Sequence, residues 1–354
     1  MNFVIPMLGL TAHGGNRVLV AMANVLVAGG HQCSVLTPQQ SLPSAMPFKF
    51  DARVEVRYAG PEISNKTLRW TVFALYLSWA LRGRDIIANH FVTGVAARIA
   101  QLTSRARVIY LVQDIEFRFY GGMLRLVARW LCEWTYRLPL LLPSNSYLED
   151  ELRKLGAQPL PALKLGVDRI FFEQPAAAGP KQFDVVCFPR REKHKRLDRL
   201  LQIAERIKKS GATVTAISQD KGLLAECAPA ISAAFTPASD SALIEVLDRS
   251  RLLLLTSEQE GFALPPLEAM ARGLPCVIFP CGGPGVYASD GQNCLLIADE
   301  SVDTAAMEIL RLLGDQLLYE RLAANARSTA AQFKFETGLS ELVPRLEKLL
   351  AGAA

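Results

Sequence analysis

A run of four leucines followed by a proline-marked helix is the feature that most constrains the fold of this chain. Leu252–Leu255 is uniformly apolar, which is typical of a parallel strand buried on both faces of a sheet. Pro265 and Pro266 preset the backbone for a first helical turn, and Gly273 closes the apolar face of that helix. A strand, a loop and a short helix in this order predict an α/β protein with a ligand site at the carboxyl end of its sheet.

Two glutamates, Glu260 in the loop and Glu268 in the helix, lie eight positions apart in this segment. A carboxylate only accepts hydrogen bonds, so these side chains suit sugar hydroxyls, which donate them, better than phosphate. A surface loop with two solvated glutamates is the alternative. Four backbone amides precede the prolines and are the best candidates for binding an anion at the helix start: those of Gly261, Phe262, Ala263 and Leu264.

The segment EGFALPPLEAMARGLPCV resembles the E-x7-E segment of the family-4 retaining glycosyltransferases. Glu260 and Glu268 occupy the positions of its two glutamates, whereas Ala263 stands where glycine is usual. The resemblance implies the GT-B fold, in which two Rossmann-like domains with parallel sheets face a central cleft. It points to bacterial polysaccharide and lipopolysaccharide enzymes, and the string QDIEFRFY is similar to some rhamnosyltransferases of the family.

Composition excludes several classes of protein. With 354 residues and 50% hydrophobic content, the chain can form two α/β domains with their own cores. Its seven cysteines are scattered without a C-x-x-C pair, which indicates reduced thiols and neither a disulfide framework nor a zinc site. The first ten residues lack a signal peptide's basic region, and no apolar run reaches the roughly 20 residues that span a bilayer. We therefore expect a cytoplasmic protein.

Positive charge is concentrated in the first part of the chain. Residues 1–150 contain 15 Lys and Arg against 9 Asp and Glu, whereas the remainder contains 24 against 25. This asymmetry predicts an anionic partner for the amino-terminal half. We expect no nucleic-acid partner, because no recognition motif is present and the basic residues do not form a base-stacking platform.

A basic cluster, PRREKHKR, follows the first apolar strand of the second half. Cations at a strand-to-helix junction suit a diphosphate because the helix dipole adds to their charge, although a solvated helix start is the alternative. Arg190 and Lys195 have the spacing of the arginine and lysine that hold the donor diphosphate in family 4, so the resemblance gives them that role. Arg196 replaces a usual glycine. The family's late glycine turn corresponds to Gly282 and Gly283, beside the donor sugar.

The first domain opens as a βαβ unit with a glycine pair in its first turn. Gly14 and Gly15 allow a ligand to approach the backbone closely, although an ordinary strand-to-helix turn is the alternative. The chain lacks the G-x-G-x-x-G fingerprint of a dinucleotide dehydrogenase at this place. By resemblance, Gly14 and Gly15 contact the donor, and His13 and Asn16 are their acceptor-side neighbours.

Polar residues also follow two later strands of this domain. His90 follows RDIIAN, and family 4 often has a histidine there, close to the reacting carbon, which makes His90 a catalytic candidate beside Arg190, Lys195 and Glu260. Asp114 and Glu116 follow RVIYLVQ, and we expect both to point into the same cleft and to orient or deprotonate an acceptor hydroxyl. A structural histidine and a pair of capping acids are the alternatives.

Two segments have the composition of helices that lie on a membrane. Residues 68–84 and 122–138 combine aromatic side chains with arginines and are too short to span a bilayer. Ordinary packed helices are the alternative for each. Acceptors on lipid carriers would account for both segments, which predicts peripheral contact with the inner face of an anionic membrane.

The domain boundaries follow from composition and from the resemblance. We predict an acceptor-side Rossmann-like domain at 1–165, a linker rich in proline and small residues at 166–182, and a nucleotide-sugar-binding Rossmann-like domain at 183–335. Residues 336–354 are predicted as the helix that crosses back to the first domain in the GT-B fold. In family 4, a segment like that of Gly166, Val167, Asp168 and Phe171 marks the passage between the domains.

The resemblance implies a retaining hexosyltransferase that moves a sugar from a nucleotide-diphosphate sugar to a glycan or lipid-linked acceptor. Such enzymes serve cell-surface polysaccharide synthesis. We expect no metal and no cofactor, since cationic side chains can hold the diphosphate and the chain contains no D-x-D tripeptide. A GT-B sugar-nucleotide epimerase and a non-catalytic nucleotide-sugar-binding protein are the alternatives.

Overall fold

The computed structural model describes residues 1–11, 13–38, 48–177 and 179–351. The chain divides into two compact units, a first unit of Met1–Lys164 with Thr337–Ala354 and a second unit of Leu165–Glu336. Each unit contains one six-stranded sheet in which all neighbouring strands are parallel, with helices in the crossovers. The predicted α/β class with two parallel sheets is confirmed.

In the first unit the strand order is β3-β2-β1-β4-β5-β6. The chain therefore runs outward from β1 in one direction and from β4 in the other, and the carboxyl ends of these two strands form the switch point where α/β proteins bind ligands. The elements are β1 (Asn2–Pro6), α1 (Gly14–Ala28), β2 (Gln32–Pro38), β3 (Glu55–Ala59), α2 (Lys66–Ala80), β4 (Asp85–Ala88), α3 (Phe91–Thr103), β5 (Arg107–Val112), α4 (Gly122–Thr135), β6 (Leu140–Pro143) and α5 (Ser146–Lys154).

In the second unit the strand order is β12-β11-β10-β7-β8-β9, so β7 and β10 lie side by side at its switch point. The remaining elements of the chain are α6 (Ile170–Glu173), β7 (Phe183–Cys187), α7 (Leu197–Lys209), β8 (Val214–Ile217), α8 (Lys221–Cys227), β9 (Ala233–Phe235), α9 (Asp240–Asp248), β10 (Ser250–Leu255), α10 (Leu264–Ala271), β11 (Cys276–Ile278), β12 (Cys294–Leu296), α11 (Val302–Gly314), α12 (Gln316–Ala330), α13 (Phe335–Ser340) and α14 (Leu342–Ala351).

The central strands are buried because helices cover both faces of each sheet. Leu252, Leu253 and Leu254 of β10 are at most 2% exposed, as the uniformly apolar sequence of that strand predicts. In the first unit, β5 contributes Tyr110, which is fully buried. All seven cysteines are buried and free.

The segment predicted as a linker is attached to the second unit. Val167 forms a parallel bridge with Lys334, and Phe171 in α6 is fully buried. The guanidinium of Arg272 donates to the Phe171 carbonyl at 3.0 Å, which fixes α6 against the end of α10. Residue 178 of this segment lies outside the described residues.

The carboxy-terminal helix α14 packs within the first unit. His31 and Glu347 approach to 3.0 Å, and Arg107 donates to the Leu350 carbonyl at 3.1 Å. Residues 352–354 of the predicted last helix lie outside the described residues. Among the helices that the structure describes, none has both the length and the hydropathy needed to cross a bilayer.

Candidate active site

The loops that follow β7 and β10 meet at the carboxyl edge of the second sheet. The ammonium Nζ of Lys195 lies 2.8 Å from Oε2 of Glu260, and the two side chains are 25% and 12% exposed. The hydroxyl of Ser257 donates to the other carboxylate oxygen of Glu260 at 2.6 Å. Glu260 is therefore held by a cation on one side and a hydroxyl on the other, in a partly open position.

The glycine turn after β11 is joined directly to this loop. The backbone N–H of Glu260 donates to the Cys281 carbonyl at 2.7 Å, and that of Gly283 donates to the Glu260 carbonyl at 2.9 Å. A Cβ atom on Gly283 would collide with the backbone of Gly261. Gly282 has a φ of 87°, which glycine adopts without strain. The structure thus brings Gly282 and Gly283 against the Glu260 loop, where glycine is needed for the close approach of two backbones.

The charges of this site affect the pKa values of two further basic side chains. Burial lowers the pKa of Arg190, and the carboxylates of Glu192 and Glu260 oppose that effect. Burial and the neighbouring Lys195 ammonium lower the pKa of His194. The site therefore combines the Lys195 ammonium and the nearby Arg190 guanidinium with the partly exposed carboxylate of Glu260, which suits a ligand that carries both phosphate and hydroxyl groups.

Two residues in the loops have left-handed backbones although they are not glycine. Arg196 has a φ of 52° immediately before α7, and Ala263 has a φ of 60° immediately before α10. By the family-4 resemblance, glycine is usual at both of these positions. The side chain of Arg196 is engaged by Asp198, with Nη2 to Oδ2 at 2.8 Å. The left-handed turns are thus kept, at a cost of about 1 kcal/mol each, by residues that would ordinarily avoid them.

The helix α10 begins at the site and is buried along its length. Phe262 and Leu264 are 8% and 7% exposed, and Glu268 is 6% exposed in the second helical turn. The hydroxyl of Tyr287 donates to the Ala263 carbonyl at 2.7 Å, and its ring packs edge-on against Phe262. This support holds the turn that presents the amides before the two prolines.

Sequence reasoning missed the roles of Ser257 and Tyr287. Ser257 is only three residues before Glu260, so its hydrogen bond to that carboxylate could have been predicted from the local sequence. Tyr287 is 24 residues from Ala263, and only the tertiary fold brings its hydroxyl to that carbonyl.

In the first unit, the predicted residues after β1, β4 and β5 lie at one edge of the sheet. The side-chain amide of Asn89 donates to the Pro6 carbonyl at 2.6 Å, which ties the ends of β4 and β1 together. The amide of Gln113 donates to the Gly15 carbonyl at 3.1 Å, and a Cβ on Gly15 would lie 3.0 Å from the Gln113 side chain. Gly14 and Gly15 are exposed at the first turn of α1.

His13 and Asn16 shape that turn. The carbonyl of His13 accepts from the Asn16 N–H at 3.0 Å, and the His13 backbone is extended as the residue that precedes α1. The Asn16 amide donates to the carbonyls of Gly9 and Thr11 at 2.8 and 3.1 Å. Asn16 therefore fixes the loop between β1 and α1, and its donors already have partners in that loop.

His90 caps helix α3 with its side chain. Nδ1 of His90 accepts from the Val92 N–H at 3.2 Å, so Nε2 carries the proton of the neutral ring. The ring is half-buried and contacts Trp70 and Phe91, with centroids 5.9 and 4.6 Å away. His90 thus has a structural role at the strand end, and its catalytic role stays a prediction.

The two acids after β5 lie in different surroundings. Asp114 is half-buried at the strand end, where its carboxylate accepts from the Ile115 N–H at 2.8 Å. Glu116 is only 4% exposed, with the Tyr110 hydroxyl 3.4 Å from both of its carboxylate oxygens and the Cys132 thiol 3.8 Å from Oε2. Burial, aided by the charge of Asp114, raises the pKa of Glu116 to about 8. Contrary to the expectation that both point the same way, Glu116 lies in the interior and Asp114 remains at the open edge.

The segment that contains this site also matches known proteins. Residues 168–329 match the family model of the Glycosyl transferases group 1. Over 118 residues the chain is 33% identical to the MMP alpha-(1->4)-mannosyltransferase of Mycolicibacterium hassiacum, covering 33% of this chain and 29% of that protein. The chain thus spans less than a third of the length of the first curated relatives that it matches.

Solved structures show the fold. Sucrose-phosphate synthase from Thermosynechococcus elongatus superposes with a TM-score of 0.79 at 15% identity, over 100% of both chains. Anabaena Alr3699/HepE in complex with UDP-glucose superposes with a TM-score of 0.74 at 17% identity, over 99% of this chain and 100% of that one. The chain has the GT-B fold, and its residues 168–329 match the sequence family of the group 1 glycosyl transferases.

Proposed function

We propose that this protein is a retaining, metal-independent hexosyltransferase that uses a nucleotide-diphosphate sugar. The observation that carries the proposal is the ion pair of Lys195 and Glu260, 2.8 Å apart beside the start of α10 and within the segment that matches the family. An ammonium for phosphate and a carboxylate for sugar hydroxyls, fixed next to each other, suit the two ends of such a donor.

The cations give the site its catalytic power. As the glycosidic bond breaks, negative charge grows on the leaving diphosphate, and preorganised cations stabilise that transition state more than the ground state. Arg190 and Lys195 supply this charge, together with the amides of Gly261–Leu264. Because two fixed cations meet the diphosphate, no bound metal is needed in this proposal.

The two glutamates hold hydroxyl groups. Glu260 binds the donor sugar near its anomeric carbon, with Ser257 fixing one carboxylate oxygen at 2.6 Å. Glu268, buried one helical turn after the amides, binds the ribose. Gly282 and Gly283, in the turn that is joined to the Glu260 loop, line the donor sugar. Retention of configuration is inferred from the family-4 resemblance alone.

The donor class is supported by relatives of known chemistry. The curated relatives include a mannosyltransferase and an N-acetyl-alpha-D-glucosaminyl L-malate synthase, and solved proteins of the same fold bind UDP and UDP-glucose. We propose a UDP hexose as the first donor to test for this chain.

The acceptor is proposed to be a glycan or a lipid-linked sugar in bacterial cell-surface polysaccharide synthesis. In this proposal, Gly14, Gly15 and His90 contact the reacting groups and Asp114 orients the acceptor hydroxyl. The aromatic and basic segments 68–84 and 122–138 would keep the enzyme on the inner face of the membrane, where lipid-linked acceptors are found.

A donor panel tests the proposal directly. Purified protein is heated with UDP, GDP and dTDP sugars, because a bound ligand raises the melting temperature by mass action. The donor that stabilises the protein is then incubated with it, with and without a bacterial lipid extract and with EDTA. We expect nucleoside diphosphate release that the lipid extract accelerates and that EDTA leaves unchanged.

The same assay separates the alternatives. Conversion of the sugar without nucleotide release would identify an epimerase, and binding without any turnover would identify a non-catalytic protein. Loss of turnover in EDTA, restored by Mg²⁺, would overturn the metal-independent mechanism.

A further inference from the structure

Three consecutive helices of the first unit form one layer. The helices α2, α3 and α4 connect successive strands of the sheet, and α3 packs against α2 on one side and α4 on the other. The two segments with membrane-like composition are therefore not separate: α3 joins them into a single surface, which we call the helical layer.

The helical layer carries most of the large apolar side chains that are exposed in the described part of the chain. Eleven of the fifteen lie on these three helices. They are Leu68, Leu75, Tyr76, Trp79, Ile99, Leu102, Met123, Leu124, Leu126, Val127 and Trp130. A concentration of exposed apolar side chains on neighbouring helices of a protein in water marks an interaction site.

The apolar stripe of α4 faces outward. Met123, Leu126, Val127 and Trp130 follow the i, i+3, i+4, i+7 spacing of one helix face and are 51–75% exposed. The inward face is formed by small side chains such as Ala128. An amphipathic helix normally buries its apolar stripe in its own core, so this orientation indicates that the stripe meets an external apolar phase.

The charge of the helical layer indicates which kind of apolar phase it contacts. The three helices contain one acidic residue, Glu133, whose carboxylate is 2.6 Å from Nε of Arg129. Arg125 on α4 and Arg137 directly after it are exposed. An exposed apolar surface with arginines nearby and few acids is complementary to a bilayer with anionic headgroups.

A cavity at the edge of the layer offers a place for one such headgroup. It has a volume of about 480 Å³ and lies between the end of α2, the residues that follow α2, and the strands β1, β2 and β3. Three arginines and two aromatic rings line it, and no carboxylate is among the described residues of its wall: Arg57, Arg82, Arg84, Tyr76 and Trp79.

Two of these arginines, Arg82 and Arg84, have N–H groups that can donate hydrogen bonds to a ligand. Arg57 is engaged by Glu55, with both guanidinium contacts at 2.6 Å. Arg82 uses one nitrogen to reach the Thr103 carbonyl at 2.9 Å, and neither Arg82 nor Arg84 has an ion pair among the described residues. Paired guanidinium groups without a counter-charge are the usual recognition elements for a phosphate.

We propose that this cavity binds the phosphate headgroup of an anionic phospholipid while the helical layer rests on the bilayer. Tyr76 and Trp79 belong to both surfaces, with their rings 6.4 Å apart, so a lipid in the cavity has its acyl chains beside the apolar face. Arg84 immediately precedes β4, so the cavity lies away from the carboxyl strand ends that carry Gly15 and His90. The inference rests on the proposed function in one respect: a lipid-linked acceptor would require the enzyme to work at the membrane surface.

Vesicle sedimentation tests the inference with the full chain. The protein is mixed with vesicles of phosphatidylcholine alone or with added phosphatidylglycerol. We expect binding to the anionic vesicles only. Arg82→Gln/Arg84→Gln should lower this binding about tenfold or more, because basic groups near an anionic surface strengthen membrane binding. Leu126→Ser/Trp130→Ser should also abolish binding, because it removes exposed apolar area from the layer.

The matched control is Arg153→Gln/Lys154→Gln, which removes two exposed charges from α5, outside the layer. It should bind like the original protein. Equal loss in the control and in Arg82→Gln/Arg84→Gln would show a diffuse charge effect and overturn the headgroup site. Circular dichroism melting of each variant shows that the fold is retained.

Other occupants give other outcomes, and each would overturn the inference. Stabilisation by inorganic phosphate that needs Arg82 and Arg84, without vesicle binding, would identify a soluble anion site. Concentration-dependent dimers that Leu126→Ser/Trp130→Ser dissociates, without vesicle binding, would show that the layer meets a second copy of the chain. Donor turnover without lipid is measured on the same samples. Vesicle binding without turnover refutes the proposed sugar transfer alone, and turnover without vesicle binding refutes the membrane contact alone.

Discussion

Two glutamates at similar places in the two units have opposite environments. Glu116 follows the buried strand β5, and Glu260 follows the buried strand β10. Glu260 faces the Lys195 ammonium at 2.8 Å and remains partly open, whereas Glu116 lies among Tyr110 and Cys132 and is closed off from solvent. The difference shows that a place after a parallel strand brings a polar residue to the sheet edge. The side chains around that residue then determine whether it is charged and can bind a ligand.

The physical reason is the cost of burying charge. A carboxylate beside a cation stays ionised, but a carboxyl group among apolar and weakly polar side chains keeps its proton, as the raised pKa of Glu116 indicates. The second unit therefore presents a charged pair to a ligand. The first unit uses its buried acid to join β5, the turn after it and helix α4.

The largest expected effect comes from breaking the charged pair. Lys195→Ala removes an ammonium aimed at the leaving diphosphate, and we expect sugar transfer to fall by about a hundredfold or more, since one such preorganised group contributes that much to a rate. Steady-state nucleotide release measures the loss. Urea unfolding checks that the fold is retained.

Lys193→Ala is the matched control for this variant. Lys193 lies in the same short turn, two residues away, and is exposed. Its removal should leave transfer within about twofold of the original rate, as is usual for exposed side chains away from the chemistry. Equal rates in both variants would remove Lys195 from the diphosphate site.

The buried acid gives the next largest effect, on stability against pH. The pKa of Glu116 is about 8 in the folded protein and 4.5 for an ordinary glutamate, so the folded state holds a proton that the unfolded state releases in this window. Its contribution is complete below pH 4.5 and is lost as the pH rises through about 8. Glu116→Gln should remove a loss of up to about 5 kcal/mol in unfolding free energy, since each pKa unit corresponds to about 1.4 kcal/mol.

Urea unfolding at about pH 5 and about pH 9 measures this loss. Glu133→Gln on α4 is the control, because Glu133 is 35% exposed and its partner Arg129 is on the same helix. It should keep the pH dependence of the original protein. If Glu116→Gln keeps it too, the carboxyl of Glu116 is ionised in the folded state and the contrast between the two glutamates disappears.

How far the sequence predicted these features depends on distance along the chain. Arg190, Lys195 and Glu260 stand in short motifs directly after apolar strands, so local pattern and topology together place them at one sheet edge. The burial of Glu116 depends on Cys132, 16 residues later, and could not be deduced from the strand end alone. The helical layer was predicted in two pieces, because the amphipathic pattern is local whereas the packing of α3 between them is tertiary.

Backbone strain also separates the two units. Among the described residues, non-glycine residues with positive φ are confined to the second unit, at Arg196, Ala263 and Glu300, and the first two flank the candidate donor site. In the described part of the first unit, only glycines have a positive φ, as at Gly122, the first residue of α4. Since such strain persists only where surrounding contacts enforce it, the Tyr287 hydrogen bond to Ala263 is expected to hold the donor loop in place.

The smallest expected effect tests this strain. The left-handed backbone of Ala263 costs about 1 kcal/mol, and Ala263→Gly removes that cost. Glycine also makes the unfolded chain more flexible, which offsets part of the benefit. We therefore expect the free energy of unfolding to rise by about 0.5 kcal/mol. Ala269→Gly in the same helix is the control and should lose about 1 kcal/mol, because its backbone is ordinary helix. Urea midpoints compare the two. A loss in Ala263→Gly as large as in Ala269→Gly would mean that the loop before α10 is unstrained, and that the two units hold their turns by the same means.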